Sequence, residues 1–191
     1  GLLDGTLAPL DQTFLLHSRP GAQRTIYLDF DGATLEGTAW NSGGNTITAI
    51  AYDFDGNPDA FSDAELERIQ YIWQRVAEDF APFDVDVTTE AIAPELITRA
   101  SSTDEVFGTT VLITKRTGVY NCSCGGVAYL GVFDDTREFY KPALVFYDAL
   151  GNGNEKYVAE AVSHEAGHNM GLGHDGTATA GYYQGQGSGA T

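Results

Sequence analysis

The stretch His164-Glu165-Ala166-Gly167-His168-Asn169-Met170-Gly171-Leu172-Gly173-His174-Asp175 holds three of the chain's four histidines. On a helix, His164 and His168 stand one turn apart on the same face, since residues four apart are surface neighbours. Glu165 can lean toward the same open side. Two imidazoles at that spacing with a carboxylate beside them suit a tetrahedral zinc ion. Gly171 permits the positive φ that ends a helix, so the chain can turn and return His174 as a third imidazole. Three histidines with a fourth position left open make the catalytic rather than the structural kind of zinc site. The short His-Glu-x-x-His pattern also arises by accident on helices whose histidines are merely solvated. The added glycine and third histidine at fixed spacing favour the metal.

Such a motif needs a helix under it and a sheet behind that helix. Asn154 is a suitable N-cap, and Glu155 in the first turn suits the helix dipole. Tyr157, Val158, Ala161 and Val162 are expected to form this helix's inward face. An earlier helix opens at Ser62, where Ser62-Asp63-Ala64-Glu65 is a capping box. Leu66, Ile69, Trp73, Val76, Ala77 and Phe80 follow at helical spacing, with Glu67, Arg68, Gln74, Arg75 and Glu78 on the other side, and Pro82 ends it. Strands are expected at Thr25–Phe30, Thr46–Ala51, Phe83–Thr89 (half-buried), Thr109–Lys115, Gly125–Phe133 and Pro142–Tyr147. The region from Ala33 to Thr48 reads otherwise as a loop, and Pro94–Ala100 as a short helix. A long helix followed by such strands is an α/β pattern.

A chain of 191 residues with 42% hydrophobic content suits one globular domain. The net charge of −17 argues against nucleic-acid phosphates and anionic membranes as partners. No apolar run approaches bilayer-spanning length. Cys122 and Cys124 can pair only with each other within the chain; free thiols or a bond to another segment are equally open. His17, far from the other histidines, reads as solvent-exposed. Residues 1–23 read as an extended surface arm or a pro-segment remnant. Asp53, Asp55, Asn57 and Asp59 at alternating positions offer oxygens to a Ca²⁺ ion. The competing reading of those four is Asx-type turns, because the glycine stands at the fourth position of the loop, not the sixth.

The sequence HEAGHNMGLGHD resembles the zinc-binding consensus of the metzincin clan of metalloendopeptidases, and its trailing Asp175 is similar to the adamalysin/reprolysin-like branch and related bacterial secreted enzymes. The resemblance implies that His164, His168 and His174 bind Zn²⁺, that Glu165 is the general base and that Gly171 makes the turn. It implies a zincin fold, a twisted mixed sheet with a backing helix and an active-site helix. The run Gly126, Val127, Ala128, Tyr129 and Leu130 resembles the clan's edge strand above the cleft, which pairs with substrate main chain. On this reading residues 24–175 form the catalytic domain. Residues 176–191 begin a C-terminal subdomain that is incomplete, because Met170 lies inside the motif and cannot serve as the clan's methionine turn. The expected protein is a secreted, monomeric zinc endopeptidase acting on protein or peptide substrates. The alternatives are a non-catalytic zinc- or calcium-binding module and an inactive protease fragment.

Overall fold

The computed structural model describes residues 6–174. A five-stranded sheet runs through it in the order β4-β1-β5-β7-β6. Its strands are β1 (Arg24–Asp29), β4 (Asp86–Thr88), β5 (Phe107–Thr114), β6 (Gly126–Val127) and β7 (Ala143–Phe146). The first four in spatial order are parallel, while β6 runs antiparallel to β7 at the edge. Parallel strands are covered on both faces and therefore read as near-continuous apolar runs. All four residues of β7 are buried accordingly.

One face is packed by two helices, α1 (Asp63–Phe80) and α3 (Glu155–Asn169). Ile26, Leu28, Val111, Ile113 and Val145 from the sheet meet Ile69, Trp73 and Val76 of α1 and Val158, Val162 and Ala166 of α3. The other face is closed by a hairpin of β2 (Ala33–Leu35) and β3 (Ile47–Ala49), with Trp40, Leu112, Leu144 and Phe146 in that smaller core. The loop expected between residues 33 and 48 thus contains a strand of its own. A short helix α2 (Pro94–Ile97) starts on its proline.

Local signals hold where the backbone alone decides. The capping box at α1 is complete, with Glu65 Oε2 accepting from the Ser62 N–H at 2.8 Å. Asn154 caps α3, its Oδ1 accepting from the N–H groups of Lys156 and Tyr157. The structure departs from expectation where distant segments arrive. Residues 10–15 form a 3-10 helix against α1, not an extended arm, and Leu16 is buried. Gln74, placed outward by periodicity, is buried because its amide donates to the Thr6 carbonyl. β4, expected to be half-buried, is buried at all three positions. Among the described residues no helix is long and apolar enough to cross a membrane.

His17 is not solvated either. It bridges to Thr88 beside β4, with Nδ1–H donating to Asp86 and Nε2–H to Glu90, both at 2.6 Å. Two carboxylate acceptors require both nitrogens to carry protons, so the ring is an imidazolium. Burial opposes that charge, but the bonds to Glu90 and Asp86 outweigh it and raise the pKa. A raised folded-state pKa gives stability that is complete below the unfolded value of about 6.5 and is lost as pH rises through the folded value. His17→Asn is therefore expected to lower the urea midpoint at pH 6 and to change it little at pH 9. An equal loss at both pH values would remove the imidazolium from the account.

Candidate active site

The site is built at the C-terminal end of α3. His164 and His168 project from consecutive turns, with ring centroids 4.4 Å apart. The helix ends at Met170, and Gly171 follows with φ +93°. The Gly171 N–H donates to the His168 carbonyl and the Leu172 N–H to that of Gly167. This is a Schellman closure, in which a left-handed residue at C′ lets the chain reverse at little cost. The reversal carries His174 back over the helix. Its Nε2 lies 3.0 Å from the Nε2 of His164 and 3.0 Å from that of His168.

Those distances test the fit to a metal. Ligand nitrogens about 2.0–2.1 Å from a tetrahedral Zn²⁺ are about 3.3 Å from each other. The separations here are close to that value, and the three histidines form a cluster suited to an ion. The tautomers suit it too. His168 Nδ1–H donates to the Leu172 carbonyl at 2.7 Å, which leaves the Nε2 lone pair facing the cluster. Burial first, then the neighbouring rings of His168 and His174, lower the pKa of His164 and favour the neutral form that coordinates a metal.

Glu165 is 6% exposed and lies against β6. Burial raises its pKa to about 7. The fit between them is close: a Cβ on Gly126 would stand 2.7 Å from Glu165 Oε1 and 2.9 Å from the Leu144 carbonyl oxygen. Only glycine leaves room for that carboxyl beside the strand. With Glu165 as the base that the motif's resemblance implies, Gly126→Ala is expected to push it aside and reduce peptide turnover on the order of 10²-fold, as a shift of about 1 Å in a reacting group does. Zinc content, measured on the purified variant, should be unchanged. Normal turnover in this variant would show that Glu165 does not act from its observed position.

A cleft of about 960 Å³ separates α3 from the sheet edge. Gly126, Val127 and Ala128 line one side, and Tyr157, Glu160, Ala161 and His164 the other. β6 bonds to β7 on its inner side, and among the described residues no strand pairs with its outer side. The expected strand to Phe133 is cut short. The N–H groups of Gly131 and Phe133 donate instead to the carbonyls of His168 and Asn169, at 2.8 Å each. Gly131 turns the chain with φ +68°. Tyr129 accordingly faces away, its ring against Trp40 and Tyr140, and Leu130 is exposed. The backbone of the segment that lines the cleft is that of residues 126–128.

Two features escaped the sequence reading. Tyr157, Glu160 and Ala161 line the cleft, although Tyr157 and Ala161 are both expected on the inward face; Ala161 also packs against the core, Tyr157 is half-exposed, and Ala159 is buried instead. Their spacing of seven, four and three before His164 places them on the histidine face and is the signal that could have found them. Asn169, fully buried, ties the end of α3 to its surroundings. Its Oδ1 accepts from the Thr109 hydroxyl at 2.6 Å and its Nδ2 donates to the Tyr129 carbonyl at 3.0 Å. Its only sequence signal is its place beside His168.

The matching family model is that of the reprolysin-like metallopeptidases of family M12B, over residues 68–175. That span is more than half of the chain. The chain belongs to the M12B reprolysin-like metallopeptidase family. Comparison with curated proteins and with solved structures finds no match. The observed mixed α/β architecture is that of a reprolysin-like zincin. The family implies zinc, and the histidine triad fits it. Asp175 and residues 176–191, with the subdomain expected there, lie outside the described residues.

The calcium expectation gains no such support. Asp53 and Asp55 come together with Glu65, and Asp59 is not in that cluster. Asp53 Oδ1 accepts from the N–H groups of Asp55, Gly56 and Asn57, and Asp55 Oδ1 from that of Asn57. Glu65 is occupied by Phe54 and by its own capping box. These are Asx-type turns. Cys122 and Cys124 form a disulfide with each other.

Proposed function

We propose that this reprolysin-like domain is a zinc-dependent endopeptidase in which His164, His168 and His174 hold the ion and Glu165 is the general base. The observation that carries this is the convergence of three imidazole nitrogens beside a buried carboxyl, across a cleft from a strand edge that no other strand pairs with among the described residues. Bound Zn²⁺ supplies a Lewis acid that polarises the scissile carbonyl and lowers the pKa of water to about 7. The outer N–H and C=O groups of residues 126–128 align the substrate as an added strand. Glu165 takes the proton of the attacking water and returns it to the departing amine. Burial raises its pKa to about 7, so near neutral pH both the carboxylate that takes the proton and the acid that returns it are accessible.

The disulfide supports action outside the cell, since such bonds persist in oxidising compartments. The test is cleavage of casein and of a peptide blocked at both ends, abolished by a chelator and restored by zinc. Zinc binding without cleavage would leave a non-catalytic metal-binding module.

A further inference from the structure

The proposed peptidase site has a charge on its wall that the reaction itself does not use. Apart from Glu165, Glu160 is the only acidic side chain lining the cleft, and no lysine or arginine lines it among the described residues. Glu160 stands four residues before His164 on the same helix face, about 6 Å along the axis. Tyr157, half-exposed, precedes it by three residues on the same face. Between these two and β6 the wall is apolar, made of Val127, Ala128, Leu150 and Ala161.

We propose that the cleft selects a basic side chain, lysine or arginine, on the substrate residue that enters it beside the scissile bond. This rests on the peptidase reading above. The wall matches such a side chain in parts. The aliphatic stem lies along Val127, Leu150 and Ala161, as long cationic side chains do on apolar surfaces. The cationic head reaches the Tyr157 ring face and the Glu160 carboxylate, two groups that both attract a cation. A shorter side chain would leave the carboxylate unused, and an acidic one would meet it. The long stem also sets the head a full helical turn from the metal ligands.

The existing partner of Glu160 is a weak competitor. Lys156 Nζ is 3.6 Å from Glu160 Oε1, longer than a hydrogen bond, and both side chains are more than half exposed. The whole molecule acts in the same direction: with a net charge of −17 it draws positively charged polypeptides toward itself and repels acidic ones.

The test uses the full zinc-loaded chain and quenched peptides that differ only in the residues flanking the scissile bond, set to Lys, Arg, Leu or Glu. The lysine and arginine peptides are expected to exceed the leucine peptide in kcat/KM by about two- to fivefold, the range of an ion pair at a partly exposed carboxylate. Glu160→Gln should bring that ratio close to unity, and Glu160→Lys should invert it. Added salt should slow the lysine peptide more than the leucine peptide. Equal cleavage of lysine and leucine peptides by the wild type, or an unchanged preference in Glu160→Gln, overturns the proposal while leaving the peptidase intact. No cleavage of any peptide overturns the peptidase reading and this inference with it.

Discussion

Glu165→Gln is expected to keep its zinc and lose peptide cleavage by about 10²–10⁴-fold, the range that a positioned general acid–base contributes. The substitution keeps the shape of the side chain, and shape matters here because the space beside Gly126 leaves no room for a larger one. It removes only the capacity to take and return a proton. The buried site, which raises the pKa of the carboxyl to about 7, accepts a neutral amide at least as readily. None of the three nitrogens that face the metal position belongs to residue 165. Metal analysis and turnover of a blocked peptide, measured on one preparation, therefore separate chemistry from binding. Cleavage at the wild-type rate would remove Glu165 from the mechanism.

What could be read in the sequence divides by distance along the chain. The turn at Gly171, the caps at Ser62 and Asn154 and the one-turn spacing of His164 and His168 are settled within a few residues. Their backbone geometry follows from residue type. The triad was legible for that reason, since its third ligand lies just past a glycine. The length of β6 was not. Its residues have the composition of a longer strand, but the N–H groups of Gly131 and Phe133 go to carbonyls at the end of α3 that no local pattern announces. His17 failed in the same way, with partners 69 and 73 positions away. The inward face of α3 was misplaced by a fraction of a turn because Tyr157 is apolar enough to read as core. It lines the cleft because the sheet edge leaves that side open.

The same contrast explains why the site is precise although a short edge strand forms one of its walls. β6 has only two residues paired to β7, too few to hold a wall by themselves. The segment after it is fastened to α3 by the bonds from Gly131 and Phe133 and by the Asn169 side chain. Strand edge and histidine helix are therefore held to each other directly, and not only through the core beneath them.

His174→Ala is expected to weaken zinc by more than the roughly 10–100-fold that loss of an outer-shell partner costs, and to abolish cleavage with it. The reason is geometric. His174 Nε2 is 3.0 Å from both of the other ring nitrogens, so it completes a triangle that two helical histidines cannot close. The Schellman turn carries it back over the helix, and its side chain is exposed. The metal-free variant should then keep wild-type stability to within about 0.5 kcal/mol, as surface substitutions generally do. The difference should appear only when zinc is added. A ligand that binds the folded state alone raises stability with its concentration relative to Kd, so the wild-type melting temperature should climb with zinc while that of the variant lags. Equal climbs would mean that the ion, if bound, sits elsewhere than among these three rings.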